Sequence, residues 1–130
     1  MIKVSAFYPN QEGARFDMNY YCNRHIPMVR AKLGSACKGV AVEQGQAGAA
    51  PGSRPEFLVM GHLYFESVES FQESFNQHST EILHDVANYT NLQPMIQVSE
   101  VKIAVEPSAV AAATNSASAR LRSSNWKRPV

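Results

Sequence analysis

Residues 57–65 read FLVMGHLYF, nine residues without a charge. Successive side chains of a strand point to opposite sides, so Phe57, Val59, Leu63 and Phe65 share one face and Leu58, Met60, His62 and Tyr64 the other. Both faces are mainly apolar. One layer of helices can cover only one of them. The other would be an exposed apolar patch of the kind that marks an interface. The stretch therefore predicts a sheet with helices on one side and a second copy of the chain on the other.

The flanking sequence supplies the rest of that sheet. At the start of the chain Ile2, Val4, Ala6 and Tyr8 alternate with Lys3, Ser5 and Phe7, the period of a strand. After the turn residues PNQEG, Asp17 can cap a helix. Met18, Tyr21, Cys22, His25, Met28, Val29 and Leu33 then recur at steps of three and four before Gly34 ends the helix. CKGVAVEQG (37–45) reads as a strand and QAGAAPGSRPE (46–56) as a loop. Ser67 caps a second helix over 67–86, carried by Val68, Phe71, Phe75, Ile82, Leu83 and Val86, with Glu69 favoured in its first turn. HDVANYTNLQ (84–93) is expected as a loop and PMIQVSEVKIAV (94–105) as the last strand, with Pro94 tolerated at its first position. The order βαββαβ is ferredoxin-like: α+β, an antiparallel four-stranded sheet with two helices on one face.

Pro27 interrupts the first helix. It has no N–H to donate and its ring crowds the carbonyl of Asn23, which costs about 3 kcal/mol in a continuous helix. The expectation is two pieces, 17–24 and 27–34, with Ile26 extended and His25 at the joint. A buried imidazole there would have its pKa lowered by desolvation and could act as a base near neutral pH, unless a carboxylate reverses the shift. The plainer alternative is a half-buried histidine bonded to a backbone carbonyl.

The run YPNQEGARFDMNYYCNRHIPMVRAKLG, with Tyr8, Pro9, Phe16, Asp17, Tyr20, Tyr21, His25, Pro27, Leu33 and Gly34 at its key positions, resembles the signature of the EthD (ethyl tert-butyl ether degradation) family. The likeness extends over about residues 1–105. It implies a homodimeric α/β barrel, two ferredoxin-like subunits packed sheet to sheet, each with a small-molecule pocket between sheet and helices. It is also similar to cofactor-free isomerases, cyclases, dehydratases and monooxygenases built on this barrel. On this likeness His25 is the candidate for acid or base work or for substrate orientation, and Tyr21, one turn earlier, donates a hydrogen bond to a substrate oxygen. Tyr8, Met60, His62 and Tyr64 are the candidates around the substrate; His62, alternating with Met60 and Tyr64, either points into the same cavity or has a packing role. Asp17 is better explained as a helix cap than as a catalytic carboxylate.

Other chemistries find no footing. The sequence contains no GxGxxG, GxxxxGK, GxSxG or HExxH, and His25, His62, His78 and His84 have no metal-ligand spacing, so no cofactor and no metal are expected. Residues 1–106 hold 8 Lys and Arg against 11 Asp and Glu, and no basic-aromatic strand motif occurs, which argues against nucleic acid. No apolar run approaches the ~20 residues of a membrane helix. Two cysteines, Cys22 and Cys37, form no disulfide framework, so the expectation is two thiols in the cytoplasm. Residues 107–130 carry Arg120, Arg122, Lys127 and Arg128 with no acid and are rich in Ala and Ser, the composition of a flexible appendage to a single domain over 1–106. Two functions remain: an enzyme moving protons on a small, largely apolar organic molecule, or a non-catalytic carrier that holds such a molecule for a partner oxygenase system.

Overall fold

In the computed structural model, which describes residues 1–105, the alternating segments form one antiparallel sheet. The basic segment 107–130 lies outside the described residues. The strands are β1 (Ile2–Pro9), β2 (Gly39–Gln44), β3 (Phe57–Phe65) and β4 (Met95–Glu100), in the spatial order β2-β3-β1-β4. Between β1 and β2 lie α1 (Met18–Tyr20), a wide π turn (Tyr21–His25) and α2 (Ile26–Leu33). Between β3 and β4 lie α3 (Val68–Asn76), α4 (Ser79–His84) and a 3-10 turn at Asp85–Asn88. This is the α+β, βαββαβ arrangement that the sequence implies.

Register decides which side chains meet. Ile2, Val4 and Ala6 stand opposite Phe65, Leu63 and Gly61, on the side where Val29, Leu33 and Ile82 pack down from the helices. We call this the inner face. Phe65 is fully buried there, a burial worth about 2–3 kcal/mol. Lys3, Ser5 and Phe7 stand opposite Tyr64, His62 and Met60 on the outer face, away from the side where the helices pack. A register shift between Tyr8 and Pro9 brings the Phe57 ring to 5.3 Å from that of Phe7, so Phe57 leaves the face that simple alternation gives it.

Three local expectations are corrected. Ile26 is helical (φ −62°, ψ −44°) rather than extended, and the chain does not break at Pro27. The π turn absorbs the proline instead: the Ile26 N–H reaches back five residues to the Tyr21 carbonyl, and Pro27 falls in the first turn of α2, where no N–H is needed. The single helix expected over 67–86 is divided at Gln77 and His78 into α3 and α4, and the loop expected from residue 84 begins as a 3-10 turn. β4 ends at Glu100 rather than near 105, because its partner β1 begins at Ile2, opposite Glu100. The Val101 N–H to Met1 carbonyl bond closes the ladder. Capping follows the sequence: Asp17 accepts from the Tyr20 N–H and Ser67 from the Ser70 N–H. Among the described residues no helix is long and apolar enough to cross a membrane.

Candidate functional site

The π turn sets Tyr21 and His25 above one another. A wider turn brings residues four apart nearly into line, and the two rings stack at 13° with centroids 5.5 Å apart. Both residues are buried, at 2 % and 5 % exposure. Beneath them β3 carries Gly61, where an added Cβ would collide with the Tyr21 hydroxyl. Only a residue without a side chain leaves that oxygen room on the sheet.

The segment after α4 completes the group. A bridge between Phe16 and Thr90, the Asp17 N–H to Tyr89 carbonyl bond and the Thr90 hydroxyl donating to the Arg15 carbonyl pin residues 89–90 against the start of α1. Tyr89 is thereby buried with its ring 4.6 Å from that of His25, and Asp85, one turn earlier, places Oδ2 2.8 Å from His25 Nδ1. The same carboxylate accepts from the Tyr20 hydroxyl at 2.7 Å and from the Asn88 amide at 2.9 Å.

These bonds define the charge states. Burial lowers the His25 pKa, and the bond to Asp85 opposes that shift only in part. For Asp85, burial raises the carboxyl, but the bonds from Asn88, His25 and Tyr20 together outweigh it and hold the pKa below its ordinary value. Near neutral pH the pair is therefore a neutral imidazole and a carboxylate. A carboxylate can only accept, so Nδ1 carries the proton and donates it to Asp85, while Nε2 keeps a free lone pair.

Three phenols stand beside this base. The Tyr8 and Tyr89 hydroxyls are 2.7 Å apart, and Tyr21 adjoins Tyr8. Burial, first, and the neighbouring phenols push Tyr8 and Tyr21 far above the usual tyrosine range; burial does the same to Tyr89. All three stay neutral and can donate. Together with Val4, Ile26 and Val86 they line a cavity of about 130 Å³ between sheet and helices, whose mouth is rimmed by the exposed Leu83 and Ile96.

The structure thus brings together three of the residues expected at a site: His25, Tyr21 and Tyr8. It separates the others. β3 passes under the cavity, so His62 borders it. Its side chain nevertheless projects from the outer face, where Nδ1 lies 2.7 Å from the Ser5 hydroxyl and Nε2 3.4 Å from Glu43. Met60 and Tyr64, two residues either side, share that face, so the expectation that these three point into the cavity of His25 is corrected by strand alternation. Asp85 and Tyr89 are the residues that sequence reasoning missed. They lie in a stretch read as a loop, 60 and 64 positions beyond His25. Their spacing of four, one acid and one aromatic on one side of a helical turn, was the available signal. Among the described residues no group of three or more His, Cys, Asp or Glu could hold a metal ion.

Comparison with known proteins accords with this geometry. Residues 12–93 match the family model described as EthD domain. The crystal structure of an EthD-like protein from Ralstonia eutropha JMP134 is 50 % identical over 81 % of this chain and 95 % of that one, with a TM-score of 0.77. An ethyl tert-butyl ether degradation (EthD) family protein from Bacillus halodurans C-125 shares the fold at 21 % identity and a TM-score of 0.60, over 78 % of this chain and 98 % of that one. No curated protein matches the sequence. The matched residues span the helices and strands β2 and β3, including His25, Asp85 and Tyr89, and the chain belongs to the EthD family.

Proposed function

We propose that this protein is a cofactor-independent enzyme that moves protons on a small, largely apolar molecule bearing an oxygen. The observation that carries this reading is His25: a buried, neutral imidazole with one nitrogen fixed by Asp85 and the other free beside an apolar cavity. That is what a general base needs, a lone pair available at neutral pH, in a fixed tautomer, next to bound substrate. Nε2 takes a proton from the substrate. Asp85 does not take it; its carboxylate holds the ring in place and stabilises the imidazolium while the proton resides there. Negative charge left on the substrate is met by phenol O–H groups in a site poor in water, where such bonds are strong. Return of the proton from Nε2 to a second substrate atom completes an isomerisation or elimination.

We also read the outer face as the contact between two copies of the chain. Phe7, Phe57, Met60 and Tyr64 are half-buried there and Met95 is exposed, an apolar patch beyond the reach of this chain's helices. Light scattering at micromolar concentration is expected to give twice the mass of one chain. The mass of a single chain would remove the dimer.

The catalytic reading is tested by comparing the protein with His25→Ala on a panel of small ketones, lactones and phenols, following binding and product together. Loss of turnover with binding retained supports it. Binding with no turnover in either protein overturns it and leaves a carrier, the cavity holding its ligand for another enzyme.

A further inference from the structure

The phenols beside His25 cannot satisfy one another. Each is neutral, so together they carry three O–H protons. Tyr8 is the middle member, bonded to Tyr89 at 2.7 Å and adjoining Tyr21, while no hydrogen bond joins Tyr21 to Tyr89 among the described residues. Contacts within the group therefore use at most two protons. The third remains on one of the three, on Tyr8 where it accepts from both neighbours and otherwise on Tyr21 or Tyr89, and all three line the cavity. Both ends line the cavity and both rings lie against His25, at 5.5 and 4.6 Å between centroids. A buried donor without an acceptor costs about 1–3 kcal/mol, so the site is built to receive an acceptor from outside.

The cavity therefore offers two complementary polar features in an apolar wall. One is a phenol donor, which matches a carbonyl oxygen. The other is His25 Nε2, which matches an acidic hydrogen. The Tyr21 and Tyr89 rings lie 5.5 and 4.6 Å from the His25 ring between centroids, which suits a ligand whose oxygen and acidic hydrogen lie close together. Size adds a second limit: about 130 Å³ is close to the ~150 Å³ of an apolar cavity that holds one benzene, and well below the 300 Å³ and more of pockets for larger ligands.

We propose that the substrate is a compact ketone or related carbon acid. Its reacting part is no larger than one six-membered ring, its carbonyl oxygen bound by the Tyr21–Tyr8–Tyr89 group and its α-hydrogen facing His25. This rests on the reading of His25 as a base and names what that base acts on. Nε2 takes the α-proton, and the C–H electron pair becomes the new C=C bond. The carbonyl π pair moves to oxygen, where the phenol hydrogen bond holds the enolate. The proton returns from Nε2 to carbon. No electron acceptor or donor is required.

The test uses three probes: cyclohexanone, the three-ring ketone anthrone, and cyclohexane, which has the size without the oxygen. Affinities are read by NMR titration of the full chain, and deuterium uptake at C2 of cyclohexanone in D2O reports proton transfer. Cyclohexanone is expected to bind at least about tenfold more tightly than anthrone. Replacing all three phenols together (Tyr8→Phe, Tyr21→Phe, Tyr89→Phe) removes donors and acceptors alike while keeping ring shape, a change the fold tolerates. It should weaken cyclohexanone by about tenfold and leave cyclohexane unchanged. Anthrone binding as tightly as cyclohexanone, or the triple variant holding cyclohexanone as well as the wild type, overturns the proposal. Selective, phenol-dependent binding without faster deuterium uptake than in His25→Gln would uphold the ligand class and remove the base.

Discussion

Each face of the sheet buries one histidine, and the two are not equivalent. On the outer face both ring nitrogens of His62 have protein partners, Ser5 and Glu43. On the inner face His25 has one, Asp85, on Nδ1, and the residue lines an apolar cavity. They are almost equally buried, at 6 % and 5 % exposure. Burial alone therefore does not mark a catalytic histidine; an uncommitted nitrogen beside a space does. On the proposed function the inner histidine exchanges a proton with a guest, whereas the outer one joins strands.

The largest expected contrast is between the two alanine variants. His25→Ala should lower turnover by about 10²–10⁴-fold with substrate binding kept, whereas His62→Ala should leave turnover within about threefold. The cost of His62→Ala falls on stability instead, about 1–3 kcal/mol in denaturant titration, because the nearly inaccessible Ser5 hydroxyl loses its partner. Loss of turnover in His62→Ala, with His25→Ala active, would reverse the roles of the faces.

Asp85→Asn sharpens the contrast within the inner face. An amide can donate as well as accept, so it no longer enforces the Nδ1–H tautomer, and turnover should fall by on the order of 100-fold. The acid limb of the rate profile should also move to lower pH, since the bond to Asp85 is what opposes the downward shift caused by burial. An unchanged rate and profile would show that Asp85 does not position the base.

Two glycines of the sheet provide a smaller, structural contrast. Gly61→Ala drives a methyl into the Tyr21 hydroxyl and should cost about 1–3 kcal/mol. Gly39→Ala on the outer face brings its Cβ only to 3.4 Å from the Tyr64 ring, an ordinary contact, and should be close to neutral in thermal melts. Equal effects would mean that the Tyr21 seat is not tight.

The smallest effect is on pH-dependent stability. Because the folded His25 pKa is lowered, the unfolded chain binds more protons below the ordinary histidine value near 6.5. The contribution is absent above that pH, and stability declines as pH falls through the window down to the folded pKa. In His25→Ala that part of the decline should vanish from a series of denaturant midpoints.

Much of this was legible in the sequence because it is local. The nine residues 57–65 form β3 with the bounds their alternation indicates, and Ser67 and Asp17 cap their helices as their side chains dictate. The division of β3 into two faces was legible too. Which face the helices would cover was not, so Met60, His62 and Tyr64 were expected beside His25 when Gly61 lies there instead. Pro27 reads as a break because single-residue rules treat the helix as an α-helix; a π turn offers a cheaper accommodation that involves five residues at once. Asp85 and Tyr89 escaped for a different reason. Their role arises from tertiary contacts, the Phe16–Thr90 bridge and the His25–Asp85 bond, which join segments that no periodicity connects.

Whether His25 is a neutral base with a free Nε2 is read most directly from the 15N NMR spectrum of the imidazole across pH 6.5–8. The expected result is a single neutral form, Nδ1 protonated and Nε2 not, whose signals are lost or altered in Asp85→Asn. A protonated Nε2 near pH 7, whether in the other tautomer or in an imidazolium, would contradict the account.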